Sequence, residues 1–313
     1  MNRTANSIRN TKYAIIGQTI GIFISFISRL IFVKVLGIDY LGINGLFSNI
    51  LYMLTFAELG IGTALVYSLY KPLADMDIPK IKALMKLLKK AYITIGIIIF
   101  ISGILLIPFL SMIVKDPSNI SNLKTIYLLF VANTSLTYFV SYKRSLIIAD
   151  QKRYIATSYR YCFFTILNIF QIITLMITRS YNLFLVLQIL FTYLENFFLG
   201  KKIDKIYPYL KLNDTNALDF KTKSIIKKNI KAITFHKIGE IFTSNTDNIL
   251  ISRYIGLNIV GIYSNYLLII NALNTVFGSL FQAVVASIGN LGANDDNKKM
   301  EFIYRVISLI NFW

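Results

Sequence analysis

One apolar stretch of the chain places several side chains capable of chemistry on a single line. In FHKIGEIFTSNTDNILIS, residues 235–252, His236, Glu240, Thr243 and Asp247 recur at helical spacing and share one stripe of a helix. Glu240 and Asp247 are the groups that would bind a proton or a Na⁺ ion. His236, one turn from Glu240, is either its proton partner or a core histidine held by hydrogen bonds. In another apolar run Gln18, Ser25 and Arg29, spaced 7 and 4 apart, line one face, and Glu58 stands in FAELGIG. Further polar stripes are Asn168, Gln171 and Thr178; Gln188, Thr192 and Glu195; and Asn271, Thr275, Gly278 and Gln282.

The cost of burying these groups decides what surrounds them. A charged side chain at mid-membrane costs roughly 2.5–3.5 kcal/mol. Arg29, Glu58, Glu240 and Asp247 therefore need a water-filled cavity or a buried partner, such as Glu58 with Arg29. The neutral side chains can instead hydrogen-bond neighbouring helices. Arg29 and Glu195 lie near helix ends, where a long side chain can reach the interface.

The elements that must position these residues are membrane helices. The 313 residues are 55% hydrophobic and 15% charged, against about 25% charged in ordinary soluble domains, and the mean hydropathy is +0.60. Apolar segments fall at 13–33, 43–68, 91–113, 124–142, 158–178, 182–199, 232–252 and 258–286, with a ninth starting near 302. This predicts an all-α polytopic membrane bundle of eight full helices and a partial ninth. The chain stops inside that ninth segment, so the expectation is a fragment of a longer protein. The N-terminus lacks a short apolar core followed by a small-residue cleavage site, and its first helix is expected to be retained.

Charge fixes the expected orientation. Of the 33 Lys and Arg, 26 fall in segments 1–12, 69–90, 143–160, 200–231 and 287–305, all on one side if every apolar segment spans. The positive-inside rule places that side, with the N-terminus, in the cytoplasm. Within 69–90, PKIKALMKLLKK reads either as a basic amphipathic helix lying on an anionic leaflet, with Ile81, Leu84, Met85 and Leu88 on its apolar face, or as a lysine-rich loop. The net charge of +18 is scattered between apolar runs and not gathered on one soluble face, so nucleic acid is not an expected partner. With a single Cys, Cys162, and a single His, the sequence offers no disulfide and no soft-metal set, and no cofactor is expected beyond an H⁺ or Na⁺ held by the carboxylates.

An offset of 219 residues aligns the chain with itself. Asn10 meets Asn229, Lys12 meets Lys231, Ile22-Phe23 meet Ile241-Phe242, and Gly37, Gly42 and Ile43 meet Gly256, Gly261 and Ile262. Such a parallel repeat implies two six-helix lobes around a cavity, the second incomplete. The expected division is an N-terminal lobe 1–200, a basic cytoplasmic linker 201–231 and a partial C-terminal lobe 232–313.

LIFVKVLGIDYLGINGLFSNILYMLTFAELGIG (residues 30–62), YSLYKPLADMD, IIADQKRYI, VGIYSNYLLI and SIGNL resemble the oligosaccharide repeat-unit flippases of capsule, exopolysaccharide and O-antigen synthesis, in the multidrug/oligosaccharidyl-lipid/polysaccharide exporter superfamily. The resemblance implies 12 to 14 helices in two lobes, alternating access, and a cargo of undecaprenyl-pyrophosphate-linked sugars moved from the inner to the outer leaflet. For that anionic cargo Arg29 and Lys237 become the candidate cations, with Gln18, Ser25, Asn271 and Gln282 as sugar-facing polar groups. Glu58, Glu240, Asp247 and His236 become candidates for ion coupling. Membrane lipids, a polysaccharide polymerase and glycosyltransferases are the further partners implied.

Rival functions are a drug or cation antiporter of the same superfamily, a membrane-embedded glycan polymerase or ligase, and a non-transporting scaffold. The short loops opposite the basic side disfavour an acceptor-binding enzyme. GxxxxGK[ST] and HExxH are absent from the sequence, which leaves ATP-driven pumping or metal hydrolysis to a separate subunit. The protein is read as a transporter and not as an enzyme.

Overall fold

A computed structural model describes residues 3–58, 60–114, 120, 122–211, 224, 226–231, 233–234, 246–292, 301, 305 and 308–309; of 3–5, 7, 211 and 276–292 it gives the backbone alone. The described residues form helices and turns. They are α1 (Arg3–Leu36), α2 (Ile38–Leu54), α3 (Ile61–Ala74), α4 (Ile78–Leu105), α5 (Leu123–Ala149), α6 (Arg153–Thr178), α7 (Tyr181–Ile206), α8 (Asp247–Tyr254) and α9 (Leu257–Gly292). The chain divides into two compact units, Met1–Ser264 and Asn265–Trp313. The first holds α1 to α8 and the opening of α9.

Among the described residues six stretches are long and apolar enough to cross a membrane: Ile8–Leu36, Ile38–Glu58, Ile78–Leu105, Leu123–Ala149, Arg153–Thr178 and Tyr181–Ile206. They correspond to the first six apolar segments of the sequence. Large apolar side chains on them, such as Phe23, Leu30, Ile101, Leu105, Ile169 and Met176, are exposed. An array of this kind is stable in lipid and costly in water. Within the first unit α5 packs against both α4 and α7, and α6 lies along α1. The α1–α6 contact is close because Gly17 and Gly21 leave room for the Tyr161 ring: a Cβ at Gly17 would stand 2.0 Å from that ring.

The apolar segment read as continuous over 43–68 is broken. Helix α2 ends in a 3-10 turn, Thr55–Glu58, and Gly60 takes a left-handed conformation with φ 73° before α3 begins. Glycine reaches that region without steric cost, so FAELGIG carries its own interruption. At the next turn Asp77 caps α4, its carboxylate accepting from the Lys80 amide at 3.1 Å.

The stretch PKIKALMKLLKK is neither a helix lying on a leaflet nor a loop. It forms the first turns of α4, and Ile81, Leu84, Met85 and Leu88 are buried against Leu65 and Leu69 of α3, Leu146 and Ile147 of α5, and Leu199 and Ile203 of α7. At 1.5 Å per residue the helix is roughly 42 Å long, about 12 Å more than a hydrocarbon core. Its lysine-bearing turns extend past the span, and the neighbouring helices cover the apolar face that the sequence offered to lipid. A second apolar core, around Phe32, Leu46, Phe47, Leu110, Tyr127, Tyr181 and Val260, gathers at the opposite end of the helices. The basic segments 69–90 and 143–160 flank the first core.

Candidate functional site

Polar groups lie between and beside these two cores, and they fall into separate clusters. One is built at the helix break. The 3-10 turn presents Glu58 to α4 and α5, where the Tyr138 hydroxyl donates to Oε2 at 3.2 Å. Tyr92 and Tyr138 stand with ring centroids 5.8 Å apart. Gly62 makes the cluster possible, because a Cβ there would lie 2.4 Å from Glu58 Oε1 and 2.7 Å from the Tyr92 hydroxyl. A half-buried carboxylate facing two phenols can hold a proton or a small cation.

A second cluster surrounds Arg29. Its guanidinium donates to the backbone carbonyl of Ser264 at 2.8 Å. Beside this contact Asn248 and Ser264 are buried, and among the described residues Asn248 Oδ1 and Ser264 Oγ have no hydrogen-bond partner. Here α2 and α9 touch through backbone: a Cβ on Gly42 would stand 2.1 Å from the Leu257 carbonyl oxygen, and one on Gly261 2.4 Å from that of Ile38. Gln18 and Ser25 are half-buried on the same helix as Arg29.

The pairing of Glu58 with Arg29 is not formed. Among the described residues the ion pairs are Lys143–Asp204, Arg144–Glu195, Lys152–Asp150 and Arg305–Glu301, and the break in the second segment carries Glu58 to α4 and α5. Glu195 is also not a snorkelling end residue: Arg144 donates to it and, at 3.4 Å, to Asn196 Oδ1. Arg144 was hidden in the sequence because Lys143 and Arg144 read as the start of a basic loop, whereas α5 continues to Ala149. The fault lies in the helix boundary; the i, i+4 pattern runs on through IIA.

Other predicted polar stripes serve packing. Gln171 Nε2 donates across to the Phe184 carbonyl at 3.0 Å, and Thr178 and Thr275 bond back to Thr174 and Asn271 of their own helices. Asn271 is exposed on α9, and the Gln282 side chain lies outside the described residues. So do His236, Lys237, Glu240 and Thr243. Asp247 is exposed in the first turn of α8, where a carboxylate complements the helix dipole, and the Tyr263 hydroxyl donates to it at 3.2 Å.

Beyond the spans, at the end carrying the basic segments, Asp150 accepts from Lys152 Nζ at 2.6 Å and from the Tyr207 hydroxyl at 2.5 Å. Burial, then the bond to Asp150, push the Tyr207 phenol pKa upward. Asn10 of α1 bridges the same turn, donating to the Gln151 carbonyl at 2.9 Å and accepting from the Tyr154 amide at 2.7 Å. Among the described residues no group of three His, Cys, Asp or Glu is placed to hold a metal ion.

The fold and these clusters define a multi-pass, all-helical membrane protein. No family model, curated protein or solved structure matches the chain.

Proposed function

We propose that the chain is the N-terminal lobe and the opening of the C-terminal lobe of a transporter that flips lipid-linked oligosaccharide repeat units across a bacterial cytoplasmic membrane, with its N-terminus inside. The observation that carries the reading is the α2–α9 crossing. Under the 219-residue offset Ile38 corresponds to Leu257, Gly42 to Gly261 and Gly45 to Ser264, and these pairs meet reciprocally, Gly42 on Leu257 and Gly261 on Ile38. A contact that is its own image under a sequence offset supports two repeats related by an axis along the membrane normal. With six helices between the repeat starts, the full arrangement is two six-helix lobes.

Cargo chemistry follows from the cations. Arg29 in one lobe and Lys237 in the other are the ligands for a pyrophosphate head, since a guanidinium matches phosphate oxygens in a bidentate fashion. Gln18, Ser25, Asn271 and Gln282 supply donors and acceptors for sugars. Glu58, Glu240, Asp247 and His236 carry the coupling ion, H⁺ or Na⁺. The lipid tail stays in the bilayer, and a polymerase and glycosyltransferases act before and after the transfer.

A second reading, an ion-coupled drug or cation antiporter, is favoured by the Glu58, Tyr92 and Tyr138 cluster, an acidic and aromatic site suited to organic cations. Deletion of the gene separates the two. The flippase reading expects lipid-linked oligosaccharide to accumulate on the cytoplasmic leaflet and Arg29→Gln to reproduce the accumulation. Normal surface polysaccharide with heightened sensitivity to cationic drugs would favour the antiporter.

A further inference from the structure

The crossing of α2 and α9 has the chemistry of a seam that separates. It is held by the Arg29 guanidinium on the Ser264 carbonyl, 2.8 Å, and by apolar burial of Leu257 and Val260. Against this, two buried polar atoms, Asn248 Oδ1 and Ser264 Oγ, lack partners among the described residues, and both would gain water if the contact opened. At Gly42 and Gly261 the contact is backbone on backbone, with the Ile38 side chain beside it and Ser264 Oγ over Gly45. Each helix is preceded by a positive-φ glycine, Gly37 at 93° and Gly256 at 139°, around which nothing lies within 4 Å of a would-be Cβ. Both helix starts therefore have room to pivot.

We propose that this seam is a separable seal at the end of the bundle opposite the basic segments, with the Arg29–Ser264 hydrogen bond as its latch. The seal rests on the two-repeat reading above, yet its test reads water access and needs no cargo. The latch is asymmetric in an otherwise symmetric contact: the offset matches Arg29 with Asn248 and Ser264 with Gly45, so one half contributes a charged donor and the other a neutral amide. A single side chain then sets the balance between closed and open.

The experiment uses the full-length chain in membranes, with Ser264→Cys and every other cysteine, Cys162 among them, replaced by Ser. The rate of reaction with a membrane-impermeant maleimide is measured from either side. Ser264→Cys leaves the carbonyl that Arg29 uses, and the thiol is expected to react slowly, from the side opposite the basic segments. Arg29→Gln should raise the rate about tenfold or more, the weight of one hydrogen bond to a charged group. Arg29→Lys, which keeps the charge without the fork, should fall between, and serves if the Gln variant does not accumulate. Gly42→Ala, which drives a methyl into the Leu257 carbonyl, should also accelerate labelling. A thiol that never reacts in the folded native protein, or a rate indifferent to both Arg29 variants, overturns the seal. Accelerated labelling, with surface polysaccharide normal after deletion of the gene, would overturn the flippase reading and leave the seal standing.

Discussion

The Tyr138 hydroxyl donates to the Glu58 carboxylate across 3.2 Å, joining the middle of α5 to a break that divides the second apolar segment. The contact exists because the backbone leaves the helix at Thr55 and returns at Ile61. A continuous helix would hold Glu58 in its i, i+4 ladder instead.

Gly62→Ala tests that geometry. The added methyl would fall 2.4 Å from Glu58 Oε1, and overpacking of this kind costs about 1–3 kcal/mol. The midpoint of thermal unfolding in detergent should fall accordingly, and Gly62→Ala with Glu58→Ala should recover part of the loss, the Tyr92 hydroxyl at 2.7 Å keeping the rest. Equal loss in both proteins would show that the carboxylate does not occupy the space.

Arg144 and Glu195 should behave as a half-buried pair, with side chains 24% and 17% exposed. Removing one partner strands the other, so Arg144→Met alone should cost about 1–3 kcal/mol. The double variant Arg144→Met, Glu195→Leu should regain stability, because two apolar side chains at those positions need no partner. Unfolding midpoints of the single and double variants check this.

Leu84→Ala decides where the lysine-rich turns of α4 sit. Leu84 is fully buried between α3, α5 and α7, and such a truncation costs about 2–5 kcal/mol. The variant should unfold at lower temperature. A protein of unchanged stability that merely binds anionic vesicles less well would mean the helix lies on the membrane.

Tyr207 and Asp150 give a pH signature. The Tyr207 phenol keeps its proton in the fold beyond about pH 10, where the unfolded chain releases it. Its contribution is therefore fully present below about pH 10 and is lost as pH rises through the folded value. The native protein should lose stability above pH 10 more steeply than Tyr207→Phe, and the two should run parallel between pH 6 and 9, roughly the range in which neither form of tyrosine titrates. Parallel curves at alkaline pH would contradict the bond.

Hydropathy by itself determined the helical class and the first six of the apolar segments, which match the six spans among the described residues, because these depend on local composition over about 20 residues. The existence of polar stripes was legible too, as periodicity in Gln18, Ser25 and Arg29. Their partners were not. Arg29 meets the Ser264 carbonyl, Arg144 meets Glu195, and the lysine-rich turns of α4 are covered by α3, α5 and α7. Each of these depends on which helix lies beside which, and one-dimensional periodicity holds no information on that. The sequence offered Gly42 and Gly261 as matched positions; tertiary structure decided that they touch, because only residues without a side chain allow two helix backbones to approach to carbonyl contact.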